Sequence, residues 1–190
     1  GLLDVENGVQ LMKPNPELLN ILDEAKDKNI FGTKMRSVIH EANKKGIEEV
    51  VRQQFTLAKT IFDAGLVPII EPEVNITSPD KEQIEIILKE AIDKELENLD
   101  DSMKVIFKFS LPSKDNFYSD YLTNPKVLKV VALSGGYTRS EACEILSRNN
   151  GVVASFSRAL LEGLEEKQSK EEFDNTLKNN IRQIYEASVK

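Results

Sequence analysis

An α/β fold built from consecutive strand-helix units around a parallel sheet is predicted by three features of this 190-residue sequence. Short β-branched runs alternate with longer stretches of helical period. The helical stretches carry recognisable start and stop signals. The composition, 40% hydrophobic and 30% charged, is enough for one substantial core and shows no sign of disorder.

Taken in order, Asn15-Pro16-Glu17 opens the first helix, with Asn as cap, Pro at the first helical position and Leu18, Leu19, Leu22 and Ala25 as the apolar stripe. The first strand is expected over Ile30 to Ser37. A second helix follows along Ile47, Val50, Val51, Phe55, Ala58 and Phe62 and stops at Gly65, a residue suited to a left-handed cap. Leu66 to Val74 is the second strand, and Ser78-Pro79-Asp80 opens a helix along Ile84, Ile87, Ala91 and Leu96. Lys104 to Leu111, Val127 to Leu133 and Val152 to Ser157 complete five strands. Thr138 to Glu141 and Ser169 to Glu172 have capping-box spacing, and the last helix carries Phe173, Leu177, Ile181, Ile184 and Val189. The unit recurs at the spacing of a (β/α)8 barrel, so residues 1–190 are expected to be one domain, with no internal boundary.

Charge limits the functions open to the chain. A net charge of -7 and the lack of basic runs argue against nucleic-acid and membrane surfaces. A single cysteine, Cys143, fits a reducing compartment and is expected to pack in its helix, and neither a membrane span nor a signal peptide is visible, so a cytosolic location is expected. A homo-oligomer is neither indicated nor excluded.

Strands covered on both faces should be continuously apolar, yet three of these carry charge late in the run. Alternation puts Lys34 with Arg36, Glu71 with Glu73, and Lys108 with Ile106 and Ser110 on single faces, opposite Met35, Ile70, Val74, Phe107 and Phe109. In a barrel the charged faces point inward near the strands' C-terminal ends, where active sites are built. One charge alone is most economically a solvated strand end. Five on three neighbouring strands imply a compensated cluster, because an unpaired charge in a barrel interior costs several kcal/mol in order of magnitude. A lysine partly desolvated beside another cation favours its neutral amine, so Lys108 is the candidate nucleophile, with Lys34 as neighbouring charge and Glu71 or Glu73 as general acid/base. Further on, Ser134-Gly135-Gly136 follows a strand, and Arg158 follows Ser155-Phe156-Ser157 at the end of the last one. These are the last two strands, where barrel phosphate sites lie.

Phe31-Gly32-Thr33-Lys34-Met35-Arg36-Ser37, Leu66-Val67-Pro68-Ile69-Ile70-Glu71-Pro72-Glu73-Val74, Lys108, Leu133-Ser134-Gly135-Gly136 and Ala154-Ser155-Phe156-Ser157-Arg158-Ala159 resemble class I fructose-bisphosphate aldolases in order and spacing, most closely their shorter bacterial branch. The likeness includes Asn7-Gly8-Val9-Gln10-Leu11-Met12-Lys13-Pro14 near the start. It implies a TIM barrel of which strands four to eight are present, incomplete in this chain, and a reversible cleavage of fructose 1,6-bisphosphate in glycolysis. It further implies that Lys108 forms an imine with the substrate ketone, that Glu71 is the general acid/base, and that Glu73 and Lys34 assist. Arg36 and Ser155 would support that network, and Ser134, Gly135 and Arg158 would bind the phosphate of a phosphorylated sugar. No metal or cofactor is implied. The family's aspartate on the first strand and lysine on the third have no counterpart here. The chain opens Gly1-Leu2-Leu3 without an initiator methionine, and three further units, about 90 residues, are expected upstream. Alternatives are an inactive fragment that only binds phosphate or a partner, and another Schiff-base barrel enzyme such as a transaldolase or deoxyribose-phosphate aldolase. Tyr185 is expected to pack its helix, and His40 to be a surface or cap residue.

Overall fold

The parity of the strands decides which face of the sheet is buried. A computed structural model describes residues 1–190. The elements run β1 (Val9–Gln10), α1 (Leu18–Asp27), β2 (Gly32–Ile39), α2 (Lys44–Asp63), β3 (Val67–Val74), α3 (Lys81–Asn98), β4 (Val105–Ser110), a 3-10 turn (Ser119–Leu122), β5 (Val127–Leu133), α4 (Arg139–Leu146), β6 (Val153–Ala154), α5 (Arg158–Leu161) and α6 (Lys170–Ser188). They form one six-stranded sheet in the order β1-β2-β3-β4-β5-β6, parallel except for β1. All five expected strands are present, joined by helices except between β4 and β5, where the connection contains only the 3-10 turn.

One face carries Met35, Ile70, Val74, Phe107, Phe109, Val130 and Ala132, all buried in the core cluster with Ile47, Val50, Val51, Phe55, Ala58 and Ile61 of α2 and Ile84, Leu88 and Ile92 of α3. The rings of Phe55 and Phe107 meet at 6.4 Å, and Phe109 stacks on Tyr118 at 4.0 Å. The opposite face keeps Ile69, Ile106 and Val131 half-buried and holds the charges. Gly65, at φ +88°, ends α2 as expected: its N–H reaches Phe62 O at 2.8 Å, and that of Leu66 reaches Ile61 O at 3.2 Å. Both capping boxes form, at Thr138 with Glu141 and at Ser169 with Glu172.

Several expectations are corrected. β1 is an extra strand of two residues pairing antiparallel with Ile39 and Val38, too short to leave a period in the sequence. β2 begins at Gly32 and runs to Ile39, and Ile30 and Phe31 are exposed before it. The last strand is only Val153–Ala154: the N–H of Ser155 makes its final bond to β5, at Ala132 O (2.7 Å), and the N–H of Ala154, on the opposite edge, bonds Ser188 Oγ of α6 at 3.1 Å. Asn15 does not cap α1: its Oδ1 accepts the N–H of Glu17 at 3.2 Å in a turn one step earlier, and Leu19 faces solvent.

The last helix turns only part of its expected stripe inward: Leu177 and Ile184 are half-buried, Ile184 against the core cluster. α6 is docked through buried Asn180 and Ala187, with Asn180 Nδ2 donating to Leu160 O and Glu162 O at 2.8 and 2.9 Å. That leaves Phe173, Ile181, Val189 and Tyr185 exposed, Tyr185 by 64%, so Tyr185 does not pack its helix. His40 is not a free surface residue either. It is part-buried, its Nε2 3.0 Å from Gln10 Oε1 and its Nδ1 3.4 Å from Asn75 Nδ2. No helix is long and apolar enough to cross a membrane.

Candidate active site

Parallel register brings the charged faces of three strands side by side. β2 and β3 pair through Arg36↔Glu71 and Val38↔Glu73, and β4 pairs with β3 at Ile69↔Ile106 and Ile70↔Phe107. Beyond Ile70 the β3-β4 ladder stops. Pro72 has no N–H to continue it, and the Ser110 hydroxyl takes over, accepting from Val74 N at 2.9 Å and donating to Val74 O at 2.8 Å. Lys108 therefore stands beside Glu71 where the two strands separate.

Glu71 is the centre of the cluster. Its side chain is 4% exposed and lies between two ammonium groups, Lys34 Nζ at 2.6 Å from Oε2 and Lys108 Nζ at 3.2 Å from Oε1. The buried Oε2 meets Lys34 outside hydrogen-bond angles, so charge rather than an aligned donor holds it. Next to this triad Arg36 Nε donates to Glu73 Oε2 at 2.6 Å. That bond holds the Arg36 guanidinium above its ordinary pKa, against the burial that lowers it, with the charges of Glu73 and Glu71 adding to the bond.

Two buried devices hold the carboxylate and the amine in place, and sequence reasoning had not singled out either. Gln54 of α2 accepts the backbone N–H of Glu71 at 2.9 Å and donates to Ser37 Oγ at 3.1 Å. Its signal was a single polar residue on the apolar stripe of α2. At the start of α3, Lys81 Nζ contacts Glu85 Oε1 at 2.5 Å and donates to Leu111 O at 2.8 Å, while Glu85 accepts the N–H of Ser113 at 2.9 Å. This pair pins the chain directly after the strand that carries Lys108. Its i,i+4 spacing looks like an ordinary exposed helix pair, and only the fold buries it.

The anion-binding candidates line the next two strand ends. Ser134 is buried and its carbonyl accepts the N–H of Tyr137 at 3.0 Å, with Gly135 and Gly136 at φ +63° and +115°. Val131↔Val153 and Ala132↔Ala154 put this turn beside Ser155, which is half-buried, and Arg158 opens α5 and is exposed. The structure thus joins Lys34, Glu71 and Lys108 in one ion network and Arg36 with Glu73 in a second. Ser134, Gly135, Ser155 and Arg158 enter neither. A cavity of about 770 Å³ lies along the outer edge of β2, lined by Leu11, Met12, Leu18, Leu57 and Ile61 together with Lys34 and Arg36.

No family model matches the chain. Over its whole length it is 61% identical to the class 1 fructose-bisphosphate aldolase of Clostridium acetobutylicum, 51% to that of Porphyromonas gingivalis and 54% to that of Synechocystis sp.. It covers 64%, 64% and 63% of their respective lengths, so it spans less than two thirds of each. The likeness that the sequence motifs carried therefore extends through every element of the fold: from Gly1 to Lys190 this chain is similar to class 1 fructose-bisphosphate aldolases.

Proposed function

We propose that this chain carries the imine-forming part of a class I fructose-bisphosphate aldolase. The single observation behind this reading is the Glu71 carboxylate bridging Lys108 and Lys34 on the open face of a parallel sheet, midway along its strands. The Lys108 amine attacks the ketone carbon of dihydroxyacetone phosphate or fructose 1,6-bisphosphate. Glu71, 3.2 Å away, takes the amine proton and returns it to the carbinol oxygen, which leaves as water. In fructose 1,6-bisphosphate the protonated imine then accepts the electron pair of the adjoining carbon-carbon bond, and the aldehyde departs as a base takes the proton of the hydroxyl on the leaving carbon. Lys34 and the Arg36-Glu73 pair hold Glu71 in place, Ser155 supports the strand end, and the Ser134-Gly135 turn and Arg158 hold the phosphate next to the ketone.

In the complete protein these strands are staves four to eight of a (β/α)8 barrel, and residues 1–190 belong to a single cytosolic domain. Helices cover one face, the charges occupy the other, and strand order follows chain order, as in that architecture.

A second reading has one observation in its favour. β1 pairs β2 only at Val38 and Ile39, so the strand that bears Lys34 and Arg36 is unpaired on its outer side over residues 32–37, and both side chains are 42% exposed. In this reading the chain binds the phosphorylated ketone but does not complete the cleavage by itself.

Borohydride reduction in the presence of dihydroxyacetone phosphate separates these readings. An irreversible adduct located at Lys108 by peptide mass, and lost in Lys108→Met, is expected for both, and release of aldehyde from fructose 1,6-bisphosphate only for the first. Absence of any adduct, or its location on another lysine, sinks the assignment.

A further inference from the structure

The loop that follows β3 reaches across the end of β4 to the turn that follows β5. A Cβ placed on Gly135 would lie 2.9 Å from Ile76 Cγ2, and one placed on Gly136 would lie 3.5 Å from Ile76 Cδ1. Both glycines have positive φ. The half-buried Ile76 side chain thus rests directly on the backbone of the Ser134–Gly136 turn, in the space that side chains on the turn would need.

Ile76 is itself held. Asn75 N donates to Ile39 O at 2.9 Å, Asn75 Oδ1 accepts from Thr77 N and Thr77 Oγ1 at 3.0 and 2.9 Å, and Ser78 N donates to Asn75 O at 3.1 Å. Just beyond, Lys81 and Glu85 grip Leu111 O and Ser113 N. Residues 75–85 therefore touch the chain after β4 and the turn after β5, while continuing from β3 itself.

We propose that Ile76 is a positioning residue for the anion turn: its packing keeps the Ser134–Gly136 backbone in the shape that presents N–H groups to a substrate phosphate. The proposal rests on the reading of Lys108 and of the turn given above. Two consecutive glycines are the most mobile backbone a loop can have, and ordering them on binding opposes affinity. Packing by Ile76 removes part of that cost before the ligand arrives. Truncating Ile76 should then weaken only the phosphate-dependent part of binding and leave the chemistry of the amine alone.

The test compares two ketones, dihydroxyacetone phosphate and unphosphorylated dihydroxyacetone, in borohydride trapping at Lys108. For Ile76→Ala the concentration of the phosphorylated ketone giving half-maximal trapping should rise about two- to tenfold. The plateau should be unchanged, and so should the entire curve for dihydroxyacetone. Ile76→Val keeps Cγ2 against Gly135 and loses Cδ1 over Gly136, so a smaller shift in the same direction is expected. This milder variant carries the test if Ile76→Ala does not fold. Equal shifts for both ketones, or none for the phosphorylated one, would overturn the role of Ile76. Failure of the unaltered chain to trap either ketone would overturn the reading of Lys108, and the role of Ile76 with it.

Discussion

The side-chain oxygen of Gln54 accepts the backbone N–H of Glu71 at 2.9 Å, so a helix packed on one face of the sheet fixes the residue whose carboxylate lies on the other. The same side chain donates to Ser37 Oγ and is completely buried. Gln54→Leu keeps the volume but strands an N–H and a hydroxyl without partners. A loss of about 2 to 4 kcal/mol in unfolding free energy is expected. Urea denaturation followed by circular dichroism reads it, and a change within 0.5 kcal/mol, the usual range for a neutral surface substitution, would show that the bonds to Gln54 are replaced.

The Lys81-Glu85 pair has side chains 10% and 2% exposed. Removing one partner leaves a buried charge unpaired, and Lys81→Met should cost about 3 to 5 kcal/mol. The double substitution Lys81→Met with Glu85→Leu should recover a large part of this, since an apolar pair carries no desolvation penalty. Thermal melts of the three variants check the order. Additive losses in the double variant would mean that the two residues do not act as a pair.

Tyr118 and Tyr121 predict an alkaline limit to stability. Burial pushes the Tyr118 hydroxyl well up, with the charge of Glu85 adding, and burial followed by the Asp93 contact pushes Tyr121 up as well. Both folded-state values lie above the unfolded one, near 10. Above that pH the unfolded chain gives up protons that the folded chain keeps, so it binds fewer of them and stability falls as pH rises. Below it the contribution is fully present. Unfolding free energy measured from pH 8 to 11 should decline at the alkaline end, and Tyr118→Phe should flatten the decline. A slope unaltered by Tyr118→Phe would assign the alkaline loss to other groups.

Much of the charged cluster could be read from local pattern. Parity along a strand needs only backbone geometry, so Lys34, Arg36, Glu71, Glu73 and Lys108 could be assigned to common faces, and the structure joins all five in two adjacent ion networks. The capping boxes at Thr138 and Ser169 and the stop at Gly65 are equally local and appear as expected. The apolar stripe of α6 was less informative, because a helix held by Asn180 and Ser188 can turn a hydrophobic flank outward.

What the sequence alone determined, then, was the alternation of strands and helices and the charged residues that share strand faces, because these depend on periods of two and 3.6 residues within one segment. Only the tertiary structure decided that Gln54 holds Glu71, that Lys81 and Glu85 pin the end of β4, and that Ile76 covers Gly135. The physical reason is that each of these contacts joins segments far apart in the chain, and no local period encodes which distant partner a buried polar or apolar side chain will meet.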